Sequence, residues 1–60
     1  DIGGVHRARA EYDILMGDLE AAGRQLREAL NKVPPGTPVR EIVTQRLTQV
    51  TKALEQQRQQ

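Results

Sequence analysis

Over residues 6–34 two apolar helical patterns meet at Gly17-Asp18, and small residues stand where two neighbouring helices would touch. That arrangement restricts the segment to a helical hairpin. Glycine supplies the left-handed turn just past one helix, and the aspartate after it can cap the amides that open the next. In residues 5–16 the apolar positions Val5, Ala8, Tyr12 and Leu15 recur at helical spacing and lie on one face. In residues 19–33 Leu19, Ala22, Leu26, Ala29 and Val33 form the strongest periodic stripe of the chain, with Leu30 widening it. Glu20 places negative charge in the first turn of this second helix. Its outer face carries Glu20, Arg24, Glu28 and Lys32, alternating in sign as expected of a solvated surface. Gly23 interrupts the pattern at a cost of ~1 kcal/mol relative to alanine; either another backbone comes close there, the reading favoured here, or the glycine is a tolerated weakness.

The remaining segments are shorter and more polar. Residues 1–4 hold paired glycines outside any apolar period and read as a disordered lead-in or a cloning scar, leaving the helical hairpin to residues 5–34. A phosphate loop is disfavoured, since no strand pattern precedes Gly3-Gly4 and no Lys-Ser or Lys-Thr follows. Pro34-Pro35-Gly36 must stop the second helix, so residues 35–37 are a linker. Thr37 followed by Pro38 is an N-cap and first-turn proline, with Glu41 in the opening turn. The third helix is expected over residues 38–56, with Val39, Val43, Leu47, Val50 and Leu54 as its stripe and Ile42 beside it; residues 57–60 are a frayed glutamine-rich tail. The fold class is therefore all-α, with Ala8, Tyr12, Leu15, Leu19, Ala22, Leu26, Ala29, Val43, Leu47 and Val50 as the expected core.

A 60-residue chain makes one domain at most, and a domain of that size hides only ~60% of the surface its unfolded chain exposes. Disulfides or a metal commonly reinforce such scaffolds, yet the chain has no Cys and a single His. Association with other protein is the support left. Nine Lys and Arg against eight Asp and Glu give a formal charge of +1, far from the basic footprint of a nucleic-acid binder. No apolar run approaches the ~20 residues of a membrane span. The chain reads as an excised piece of a larger protein, because it starts at Asp1 and its pattern breaks off without a preceding repeat.

The hairpin resembles one tetratricopeptide repeat: Gly17 and Asp18 match the inter-helix turn, Ala10 and Ala22 the small packing positions, Leu26 the bulky core position, and Ala29 and Pro34 the closing alanine and proline. The third helix then looks like the polar-backed capping helix that ends a solenoid. The run from His6 to Tyr12, Gly17 to Ala22, Gln25-Leu26, Ala29-Leu30 and Gln45-Arg46-Leu47 together resemble the C-terminal tail of periplasmic zinc metalloproteases of the beta-barrel assembly-enhancing protease family. That resemblance implies a Gram-negative periplasmic parent involved in envelope protein quality control, its HExxH zinc helix lying upstream. Asp13, where the repeat generally carries a bulky residue, and Pro34-Pro35-Gly36-Thr37 depart from the pattern. The Pro-Pro-Gly linker also resembles tetratricopeptide scaffolds of cytochrome c assembly.

Catalysis is not expected of this chain, and neither is a cofactor. His6 has no second His or Cys at ligand spacing, Glu11 and Asp13 fall on different sides of a helix, and no serine is present to act as a nucleophile. The expected function is that of a protein-binding or domain-docking module, whose partner is a protein, a peptide or the parent's own catalytic domain. In tetratricopeptide repeats the first helix of each hairpin lines the groove, so the resemblance points to Arg7, Glu11 and Ile14 as contacts. Ile14, Met16 and Ile42 lie off the main stripes and could meet the same partner. A self-associating element is the alternative, with homo-oligomers expected of the isolated chain and exchange of the third helix about a stiff proline-rich hinge as one route.

Overall fold

The computed structural model describes residues 1–59 and contains three helices, α1 (Ile2–Leu15), α2 (Leu19–Lys32) and α3 (Pro38–Arg58), with no strand among the described residues. The fold is all-α, a helical hairpin followed by a third helix. Helices α1 and α3 both pack on α2 and meet each other only marginally.

The α1–α2 junction follows from Gly17-Asp18. Gly17 adopts φ +82°, its N–H donates to the Ile14 carbonyl at 3.0 Å, and the Asp18 N–H donates to the Asp13 carbonyl at 2.8 Å. Together these bonds form a Schellman motif, which satisfies carbonyls that the end of α1 would otherwise leave bare. Asp18 then caps α2 by accepting a bond from the Ala21 N–H at 3.1 Å. The second junction is equally well bonded. Gly36 turns the chain at φ +80°. The Thr37 hydroxyl donates to the Pro34 carbonyl at 2.8 Å and accepts from the Arg40 N–H at 3.2 Å. Arg40 Nη1 donates to the carbonyls of Leu30 at 2.8 Å and Val33 at 3.3 Å, so a cation closes the negative end of α2. The linker expected to be a stiff hinge is instead a tight turn, because four hydrogen bonds made by the Thr37 and Arg40 side chains compensate for the amides that its prolines lack.

Ala10, Ala22, Leu26, Ala29, Val43 and Val50 form the buried core, with Ile14, Leu19, Leu30, Leu47 and Leu54 half-buried against it. Three expected core residues are not there. Ala8 is exposed, and Tyr12 and Leu15 are 62% and 84% exposed. Helix α1 has two apolar faces, and the fold covers the one formed by Gly3, Ala10 and Ile14. The reason is size: α2 presents Ala22 and Ala29 as buried residues, and two helices come together closely only where both contribute small side chains. Tyr12 or Leu15 at the contact would hold them apart.

Two glycines change meaning in this light. The reading of residues 1–4 as a lead-in does not hold, since α1 starts at Ile2 and Gly3 is buried. A Cβ on Gly3 would lie 3.0 Å from Val33 Cγ1, so it is here, and not at Gly23, that a missing side chain permits a close approach. At Gly23 an added Cβ would meet first the Arg27 guanidinium, at 3.4 Å, the far end of a flexible side chain. Gly23→Ala is therefore expected to stabilise the fold by ~0.5–1 kcal/mol, read from urea denaturation; a loss of stability would mean that Arg27 cannot yield. At the other end, α3 continues through Arg58, two residues beyond its expected limit. Of the glutamine-rich tail, Gln60 lies outside the described residues.

Candidate binding groove

Because α1 and α3 flank α2 without closing on each other, a groove of about 520 Å³ opens between them. Leu26 of α2 and Val43 of α3, both buried, form its apolar floor. One wall is the Gly4, Arg7, Ala8 and Glu11 face of α1; the other is Ile42, Gln45, Arg46 and Gln49 of α3. Each set recurs at three- and four-residue intervals, which places it along one side of a helix.

An ion pair spans the two walls. Arg46 Nε and Nη2 donate to Glu11 Oε2 and Oε1 at 2.9 and 2.8 Å, and Arg46 Nη1 donates to Gln49 Oε1 at 2.8 Å, which holds the guanidinium in place. This is the only salt bridge among the described residues. The Arg46 hydrogen bond holds the Glu11 carboxyl below the ordinary glutamate range; partial burial opposes this, and the charges of Arg46 and Arg7 assist it. The same bond raises the Arg46 pKa.

With side chains 38% and 55% exposed for Arg46 and Glu11, the pair contributes at most ~1 kcal/mol, since solvent screens it. A carboxyl whose folded pKa lies below its unfolded one stabilises the fold above the unfolded value, and loses that contribution as pH falls through the folded one. Glu11→Gln should therefore be less stable than the parent by up to ~1 kcal/mol at neutral pH. The difference should vanish in acid and shrink in 1 M salt, where the screening length is ~3 Å. Thermal melts of both proteins across pH would test it. A difference independent of pH would assign the effect of Glu11 to packing.

Of the three residues expected to contact a partner, Arg7 and Glu11 line the groove. Ile14 does not. It lies half-buried against the core, because α1 turns its Gly3, Ala10 and Ile14 face inward, and so it is not part of the groove lining. Arg46, Gln45 and Gln49 complete the opposite wall and were missed as site residues. Their spacing along α3 was legible, but the 35-residue separation of Arg46 from Glu11 leaves no local signal that the two meet. Ile42 was expected to remain available to a partner and is half exposed on this wall.

His6 is not free in solvent. Its Nδ1 lies 2.7 Å from Gln25 Oε1, tying α1 to α2, a contact that needs the tautomer with the proton on Nδ1 for the imidazole to donate. Among the described residues no group of three or more His, Cys, Asp or Glu side chains could hold a metal ion, and no helix is long and apolar enough to cross a membrane. The groove offers an apolar floor, amide groups able to donate and accept, and the Arg7 guanidinium, outside any salt bridge among the described residues, beside a charge pair. No family model, curated protein or solved structure matches this chain.

Proposed function

We propose that this chain is a protein-binding, domain-docking module, and that the groove between α1 and α3 receives its partner. The observation that carries the reading is the combination, in one concave surface, of the apolar floor at Leu26 and Val43 with the polar rim of Arg7, Glu11, Arg46 and Gln49. Ligand-binding concavities are built in this way, with burial providing affinity and a few oriented polar groups providing specificity. Arg7 and Glu11 contact the partner, joined by Arg46. No catalytic role is assigned to any residue here.

The resemblance of residues 6–34 to a tetratricopeptide hairpin adds a narrower reading. In it the chain is the tetratricopeptide tail of a periplasmic zinc-dependent protease of envelope protein quality control, docking the parent's catalytic domain or a client. The burial of Ala10, Ala22, Leu26 and Ala29, the small and bulky packing positions of such a repeat, supports it. The test has two arms. The isotope-labelled chain is titrated with the polypeptide encoded immediately upstream of Asp1, supplied separately, and amide shifts are followed. Perturbations centred on Arg7, Glu11, Gln45 and Gln49, abolished by Arg46→Ala, are expected; shifts elsewhere, or none, count against the groove. The protease reading is tested by the parent gene: an upstream HExxH helix is expected, and membrane spans of a cytochrome c assembly protein in its place would overturn it.

A further inference from the structure

We infer that Glu11 is a built-in competitor in the groove, holding on Arg46 the place that an acidic side chain of the docked polypeptide takes when it binds. Resting on the docking role above, this gives the groove's occupant a chemistry: a segment with a Glu or Asp between apolar residues.

A carboxylate already sits on Arg46 in the geometry that a ligand would use. Arg46 Nε and Nη2 donate side by side to the two Glu11 oxygens at 2.9 and 2.8 Å, the bidentate arrangement by which guanidinium groups recognise carboxylates. The guanidinium does not depend on Glu11 for its position. Its Nη1 donates to Gln49 Oε1 at 2.8 Å, about one turn along the same helix, and that bond persists when Glu11 leaves. With both edges of the guanidinium fork in use, a second carboxylate reaches Arg46 in this way only by displacing the first.

Release of Glu11 requires little. Its side chain is 55% exposed against 38% for Arg46, so the freed carboxylate turns into water, and an exposed pair of this kind is weakly held. Little else joins the two walls. The pair is the only salt bridge among the described residues, and α1 and α3 otherwise meet only marginally.

Charge and polarity select the occupant. Two guanidiniums, Arg7 and Arg46, and one carboxylate line the groove. With Glu11 neutralising Arg46, Arg7 remains outside any salt bridge among the described residues, four positions from Glu11 on the same side of α1, so the site as a whole draws negative charge. A basic segment would instead meet two guanidiniums whose one carboxylate is already bound. The floor residues Leu26 and Val43 are 2% and 1% exposed although both line the groove. Parting the strapped walls uncovers them to the apolar residues that flank the occupant's acid.

The experiment titrates the isotope-labelled chain, followed by NMR, with two blocked pentapeptides, acetyl-Ala-Leu-Glu-Leu-Ala-amide and its counterpart with Gln in place of Glu. The acidic peptide is expected to bind in the millimolar range, at least about threefold more tightly than the amide peptide. Glu11→Gln removes the competitor and keeps Arg46, so it should bind the acidic peptide up to about fivefold more tightly than the parent does, with no gain for the amide peptide. Arg46→Ala should abolish the preference, with circular dichroism checking that each variant is folded. A further arm needs no variant. As the acidic peptide is added to the parent chain, the Arg46 Nε–H resonance should stay at the position of a carboxylate-bonded guanidinium while the Glu11 carboxyl carbon moves to that of a free glutamate. Equal binding of the two peptides, or a Glu11→Gln chain that binds the acidic peptide no better than the parent, overturns the inference and leaves the docking groove standing. Absence of binding of either peptide to the Glu11→Gln chain at about 10 mM overturns it as well, and the titration with the upstream polypeptide then judges the groove separately.

Discussion

Leu26→Ala is expected to remove half or more of the stability of this fold. Leu26 is 2% exposed, is among the largest fully buried side chains of the core, and also forms the groove floor. Truncating a buried leucine costs ~2–5 kcal/mol, the lost burial plus the cavity left behind. A domain of this size has ~3–9 kcal/mol in total at the usual ~0.05–0.15 kcal/mol per residue. Small domains lose ~4–8 °C of melting temperature per kcal/mol, so a fall of roughly 10 °C or more should be seen by circular dichroism. The two proteins must be compared at equal concentration, because association would stabilise each by mass action. An unchanged melting temperature would remove Leu26 from the core.

Adding bulk to α1 should distinguish its two faces just as clearly. Ala10 is fully buried, so Ala10→Leu must force α1 from α2, at ~1–3 kcal/mol for overpacking. Ala8→Leu, on the exposed face, should change stability by no more than ~0.5 kcal/mol. Urea denaturation of the two variants side by side tests the orientation of α1 directly. If Ala8→Leu were the costly change, α1 would face α2 with Ala8, Tyr12 and Leu15, as apolar periodicity alone suggests.

That contrast explains how much could be read without coordinates. In α2 the apolar stripe is single and its opposite face charged, and every residue expected in the core there is buried or half-buried. In α3 the stripe likewise delivers Val43, Val50 and Leu47 to the core. In α1 both faces are apolar, and periodicity chose the larger side chains over the smaller. Volume decided otherwise, because close packing against the small residues of α2 has no room for a tyrosine. Ala10 was nevertheless legible by another route, as the small packing position of a tetratricopeptide-like hairpin.

The groove divides in the same manner. Arg7 and Glu11 were expected on it only through the resemblance to a tetratricopeptide hairpin, whose first helix lines the groove, whereas Arg46 enters only when α3 folds back along α2. The closing bonds of Arg40 to the Leu30 and Val33 carbonyls help to set that return path, and nothing in the spacing of Arg40 announces them.

By itself the sequence determined the local features: three helices, the glycine turn at Gly17, the caps at Asp18 and Thr37, and the apolar side of α2. These depend on backbone conformations and hydrogen bonds among residues a few positions apart, which each short segment carries with it. Only the tertiary structure decided which face of α1 turns inward, that Gly3 and not Gly23 is the point of close approach, and that Glu11 pairs with Arg46. Those outcomes depend on the volumes and charges of side chains far apart in the chain, and packing selects among faces that periodicity leaves equivalent.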